Sequence, residues 1–322
     1  MRKITLAALA LPLLTATASF AESPDSGRYL SDPAFLPKAG QIEGRTELIQ
    51  SNSSYDLIDT NGTKSDIIKG EGLMLRQMVG YGVTDRFTLR LTDDYALETQ
   101  YDNQLTSTQD KTKSSGLHDP KISAAYRLIP QGKNPYNLDL SGFFKPTVFR
   151  AQEASTDKHG TVANGGATYG LGAAVSRVNK SFTLRGSMDV VRYEQATSKH
   201  LSDGSTTTTG GRTALDLGLQ GQWRFLRRMS LDADLGYEMS TSNKIGNNGS
   251  TPWGATQDNG DIFKGSLGLA YDFIPERLIG GLYYEYTQAD KTGYSDLNNF
   301  SVSKMTNQRE DAYIFRLHYL FR

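Results

Sequence analysis

No cysteine occurs in the 322 residues. That excludes disulfide staples, thiolate chemistry and a lipoprotein anchor on this chain. Net charge is absent as well: 35 Lys and Arg balance 35 Asp and Glu. Bulk charge therefore implies neither an acidic nor a basic partner, and no basic stripe points to nucleic acid. Past residue 21, no stretch approaches the roughly twenty apolar residues of a membrane helix. Mean hydropathy is −0.48, yet barrel strands escape a hydropathy window because half their residues face a lumen. Proline is sparse at 10, against Gly 32, Tyr 17 and Phe 13, a balance that suits a β-rich chain.

Catalytic constellations are missing too. Of the four histidines, His118, His159, His200 and His318, none has a sequence context that supplies a nucleophile held by a base and a carboxylate. The His-x-Ser-Asn-Gly stretch of outer-membrane phospholipases does not occur; His159-Gly160-Thr161 does not match it. Asp232-x-Asp234 lacks the loop spacing of a calcium hand, and Gly170-Leu171-Gly172 sits in a strand pattern with no helix after it. The expectation is no enzyme, no metal and no cofactor.

Arg2 and Lys3 precede an uncharged run from Ile4 to Phe20, and Ser19-Phe20-Ala21 supplies the small residues a signal peptidase requires. Met1 to Ala21 reads as a cleaved secretory signal. Residues 22–38 then form a periplasmic N-terminal segment carrying Pro24, Pro33 and Pro37. It either stays in the periplasm or enters a lumen as a small plug. Residues 39–322 read as one barrel.

The last ten residues show why. Tyr313, Phe315, Leu317, Tyr319 and Phe321 alternate with a face that carries Arg316 and His318. A strand throws successive side chains to opposite faces, so one face is an aromatic ladder and the other is charged. Such an end resembles the closing strand of an outer-membrane barrel. That resemblance implies that Tyr313, Phe315, Tyr319 and Phe321 serve as membrane girdle and as the signal read by the barrel-assembly machinery. Here one extra residue, Arg322, comes after Phe321.

Turn chemistry sets the strand count. Short connections rich in Pro, Gly, Asn and Asp fall at 82–86, 129–135, 178–181, 226–228 and 274–277. Long polar connections fall at 56–66, 102–116, 151–166, 196–211, 241–260 and 291–308. Five short and six long connections make twelve strands, hence an all-β, transmembrane, antiparallel up-and-down barrel with both termini periplasmic. Alternating runs such as Phe263 to Phe273 and Leu215 to Phe225 are about as long as a tilted strand needs to cross a bilayer.

Inward parity collects both signs, among them Glu43, Glu47, Glu98, Lys121, Asp139 and Asp232. Charge at mid-depth cannot face lipid without a large cost, so these groups line a lumen. The residues expected to screen solutes are Arg90, Arg127, Lys145, Arg185, Asp216, Arg224, Asp234, Lys264, Glu285 and Arg316. The same groups could instead pair across the interior and close it. Gly170, Gly172, Ala174 and Ser176 leave room on one inward face, and residues 151–166 could fold in there or stay outside.

Two stretches carry a family resemblance. Tyr81-Gly82-Val83-Thr84-Asp85-Arg86 has the form of a Tyr-Gly-Val-Thr-Asp-Arg turn between strands. Gly116-Leu117-His118-Asp119-Pro120 resembles a Gly-Leu-Gly-Asp-Pro strand start, with His118 in place of the second glycine. Together they resemble the family of outer-membrane channels associated with aromatic-compound degradation, of the phenol meta-pathway type. The resemblance implies passive transport in a Gram-negative outer membrane and names no substrate. The expected function is a monomeric channel for small solutes, organic acids or aromatic compounds, with outer-membrane lipid around it. The alternative is a closed structural barrel whose extracellular loops bind a partner.

Overall fold

The computed structural model describes residue 30 and residues 32–104, 111–155, 158–247, 255–295 and 302–321. The signal reading and Arg322 fall outside the described residues. Among those described, the chain order begins β1 (Ile42–Asp59), β2 (Lys64–Thr84), β3 (Phe87–Asn103), β4 (Lys111–Leu117), β5 (Lys121–Ile129), β6 (Asn137–Lys145) and β7 (Ala151–Glu153). It continues with β8 (Thr168–Val178), β9 (Phe182–Tyr193), β10 (Ala196–His200), β11 (Thr206–Thr209), β12 (Arg212–Leu226) and β13 (Met229–Ser240). It ends with β14 (Asn243–Asn247), β15 (Ala255–Asp258), β16 (Ile262–Ile274), β17 (Leu278–Ala289), β18 (Thr292–Ser295) and β19 (Val302–Phe321).

Twelve of these form the barrel, in the order β1, β2, β3, β5, β6, β8, β9, β12, β13, β16, β17, β19. Each pairs antiparallel with the next, and β19 pairs back onto β1 from Ile42↔Phe321 to Asp59↔Val302. Closure satisfies every strand edge, which a bilayer demands because it offers no water to unpaired backbone groups. The five short turns lie where the turn residues predict them.

The six long connections differ from the expectation of plain loops. Parts of each are strands. Residues 56–59 and 64–66 belong to β1 and β2, and β4, β7, β10, β11, β14, β15 and β18 fall wholly or partly in the others. β10 pairs with β11, β11 with β14, β14 with β15 and β15 with β18, so the wall continues past the membrane as an extracellular collar. Beyond the bilayer both faces of a strand meet water. Pairing there needs no apolar alternation, and that is why the pattern does not reveal it.

Outside, the wall is apolar. Leu171 is 74% exposed and Leu282 67%, a placement suited to lipid rather than water. Rings flank this belt, with Tyr319 against Phe321 at 5.3 Å and Tyr284 against Tyr313 at 5.5 Å between centroids. Tyr313, Phe315 and Phe321 are exposed on the outer face, and the Tyr319 ring lies over Gly44, where a Cβ would collide with it. Asp93 is a polar departure on this face, beside Gln77, which in turn meets Thr46 at 2.9 Å.

One parity assignment is overturned. β2 and β3 pair Leu73↔Glu98 and Met74↔Ala96, so Leu97 is an extra residue in a β-bulge. The insertion turns the residues after it to the other face. Glu98 therefore leaves the lumen side and takes Lys113 at 2.8 Å.

Candidate functional site: the charged lumen

Inside, charge is organised around two carboxylates of β1. Glu47 lies within 3.4 Å of Arg45, 3.4 Å of Arg76 and 2.5 Å of Arg316. Arg76 also grips Asp94 through two nitrogens, at 2.8 and 3.1 Å. Glu43 meets Arg90 at 2.5 Å and His318 at 3.5 Å. Both glutamates are almost fully buried. A buried carboxylate needs such partners, because removing one leaves an uncompensated charge at a cost of about 3–5 kcal/mol. Glycines make the space: the Glu43 side chain lies over Gly80, and a Cβ on Gly268 would collide with the Tyr283 ring. The room expected along Gly170 and Gly172 is likewise taken, by the Phe143 ring and the Asp189 carboxylate from neighbouring strands.

The N-terminal segment crosses this lumen near its periplasmic end. Gly40 N–H donates to the Gly82 carbonyl, Gly82 N–H to that of Gln41, and Ala39 N–H to the Asp85 carboxylate, which fixes where the chain turns in. From there Asp32 accepts from Thr183 at 2.8 Å and from Arg224 at 3.3 Å. Arg127 donates to the Ala34 carbonyl while holding Asp139 at 2.8 and 3.1 Å. Arg90 reaches the Phe35 carbonyl at 3.5 Å, and the Phe35 ring stands edge-on to His318. Leu30 packs with Ala270, Ile279 and Leu320. The contacts touch strands on all sides of the barrel. These contacts of Leu30, Asp32, Ala34 and Phe35 are with lumen-facing side chains.

Above the segment lies a cavity of about 330 Å³. Its wall brings together Arg90, Arg185, Asp234 and Arg316 from the expected solute screen. Arg127 and Arg224 instead hold the N-terminal segment. Lys145, Asp216, Lys264 and Glu285 stand outside the cavity, farther along their strands from the short turns. Lys264 pairs with Glu238 at 3.4 Å, and Asp216 keeps a buried oxygen without a hydrogen bond. Sequence reading missed Tyr283, Gln220 and Gln222. Tyr283 donates to Asp232 at 2.9 Å and lies under Arg316 at 4.1 Å. Parity held the signal: Tyr283 is two residues from Glu285, on the same face.

The described residues of 151–166 bridge the extracellular rim. Asp119 accepts the N–H groups of Val148, Phe149 and Asn164 at 2.7, 2.9 and 3.2 Å, and β7 runs parallel to β10. On this rim His200 lies 2.9 Å from Glu153 and 2.6 Å from Thr207. That is the outline of a nucleophile–base–carboxylate relay. It lies on the strands of the collar, where the ladder takes up backbone N–H groups that could stabilise an oxyanion.

No family model matches the sequence, and no curated protein matches it. Solved structures do match. An outer-membrane channel from Pseudomonas putida F1 aligns with a TM-score of 0.58 at 15% identity, covering 89% of this chain and 97% of the other. The translocator domain of the autotransporter NalP from Neisseria meningitidis gives 0.47 at 12% identity, over 88% of this chain and 89% of that one. A mutant of the monoaromatic hydrocarbon channel TodX gives 0.46 at 13%, over 92% and 94%. The first likeness establishes the fold, a closed antiparallel β-barrel.

Proposed function

We propose that this chain is a passive channel for small polar solutes across a Gram-negative outer membrane. The observation that carries the reading is a cavity of about 330 Å³ inside a closed barrel, with charged and amide side chains from many strands in its lining. A barrel with a purely structural task could fill that space with interlocking side chains. Arg90, Arg185, Asp234 and Arg316 screen solutes by charge in the cavity. Lys145, Asp216, Lys264 and Glu285 form the approach from outside, and Arg127 and Arg224 anchor the segment that a solute must pass. The role is transport rather than catalysis. The chain works as a monomer in outer-membrane lipid, delivered by its signal and assembled through the strand that ends in Phe321.

Single-channel conductance of the refolded mature protein in a planar bilayer tests this. Steady or gated steps that change when Arg90 or Arg185 is reversed to Glu support the channel. Absence of steps from demonstrably folded barrel overturns it.

A second reading has its own support: the tight pairing around Glu43 and Glu47 and the segment across the lumen. In that reading the barrel is closed and the collar of β10, β11, β14, β15 and β18 binds a partner. Substitutions in the collar would then alter surface binding with no change in permeability.

A further inference from the structure

We propose that the lumen cavity binds small zwitterions of the ω-amino-acid class, carboxylate toward Lys121 and Arg185, ammonium toward Asp232 and Asp234. The proposal deepens the channel reading and rests on it.

Most charges around the cavity are already paired with one another. Arg90 is held by Glu43, Arg316 by Glu47, and Asp139 by Arg127. Four lining groups are different. Lys121 lies over the Phe143 ring at 4.3 Å. Arg185 donates to the neutral amide of Gln220 at 3.1 Å, and its Nε is buried without an acceptor. Asp234 accepts from the Ser266 hydroxyl at 2.9 Å. Asp232 accepts from Gln222 and Tyr283, both at 2.9 Å. Two cations and two carboxylates thus face one cavity, and the groups that touch them directly are neutral.

Their placement is ordered. Arg185, Gln220 and Asp234 occupy one cross-strand row of β9, β12 and β13. Adjacent strands are about 4.8 Å apart, so this row sets opposite charges at backbone positions roughly 10 Å apart. Lys121 comes from β5, five strands round the ring of twelve from β13, and so confronts the two aspartates across the lumen.

Specificity comes from the groups each ligand class leaves unpaired. A simple anion satisfies the cations and meets two carboxylates. A simple cation does the reverse. An apolar ligand strips water from four charges and returns nothing. A molecule with both charges at its ends satisfies both sides at once and is oriented by them.

The test uses three probes of matched chain length: 5-aminopentanoate, pentanoate and pentylammonium, added to single-channel recordings at neutral pH. The expected result is block by 5-aminopentanoate at a concentration at least fivefold below that of either single-charge probe. Asp234→Asn should shift preference toward pentanoate, and Arg185→Gln toward pentylammonium. Lys121→Gln serves as a second variant if Arg185→Gln fails to fold. Equal potency of the three probes on a conducting channel overturns the proposal. If the folded wild-type barrel conducts nothing, the channel reading fails by itself. Titration calorimetry of the same probes on the detergent-solubilised barrel then decides the site: selective 5-aminopentanoate binding keeps it, and no selectivity overturns it.

Discussion

Asp32→Ala is expected to free the N-terminal segment from the lumen. The Asp32 carboxylate accepts from Thr183 at 2.8 Å and from Arg224 at 3.3 Å, and its side chain is 0% exposed. Hydrogen bonds to a charged group contribute about 1.5–3 kcal/mol each. The Arg224 contact is long, and Arg224 keeps Gln222 at 3.0 Å, so about 2–4 kcal/mol is a reasonable total. At about 1.4 kcal/mol per factor of ten, the undocked population rises roughly 30- to 700-fold. The absence of native cysteine makes the assay clean. Ala34, 2% exposed, is changed to Cys, and maleimide labelling of the folded barrel is timed with and without Asp32→Ala. A labelling rate that rises less than threefold would refute the claim that Asp32 latches the segment.

Other perturbations reach separate parts of the fold. Gly268→Ala places a Cβ against the Tyr283 ring; the displaced ring should cost about 1–3 kcal/mol, seen as a lower urea midpoint for the unfolding of the barrel. Leu282→Arg puts a cation on the lipid face, and a loss of about 2–4 kcal/mol should appear in the same titration, while Arg at the exposed turn residue Asn61 should not register. Asp119→Ala removes the acceptor of three backbone N–H groups at the rim, and limited proteolysis should then cut within residues 148–166 at least several-fold faster. In the β10–β11 turn, the Ser205 hydroxyl and N–H hold the Asp203 carboxyl below the usual range. A lowered folded pKa means support present above the unfolded value and lost as pH falls through the folded one; an NMR titration of Asp203 and Ser205 should show both changing together below the ordinary Asp range.

Period-two alternation and turn residues are enough to place the twelve strands and five short turns, because a wall with lipid outside and water inside writes its two faces into every second residue. Tyr313, Phe315 and Phe321 are on the outer face for that reason. Simple parity misplaces Glu98 because a one-residue bulge at Leu97 inverts it, and nothing in Tyr95-Ala96-Leu97-Glu98 announces the bulge. The extracellular strands escape because water on both sides removes the pattern. Inward-facing charge is legible residue by residue, but its grouping is not. Parity tells which way Arg90 and Arg127 point; that Arg90 is tied to Glu43 and the Phe35 carbonyl, and Arg127 to the Ala34 carbonyl, depends on contacts 47, 55 and 93 residues away in sequence.

The packing of Leu30 has a consequence for closure of the wall. Its neighbours Ala270, Ile279 and Leu320 come from β16, β17 and β19, the last part of the chain to be made. The seam between β1 and β19 joins the two ends of the wall, so of the wall's strand pairs it carries the largest loop-closure entropy. Leu30 precedes β1 yet packs on strands at the other end of the wall, so its docking spans that seam. A docked segment therefore braces the closure of the wall from inside.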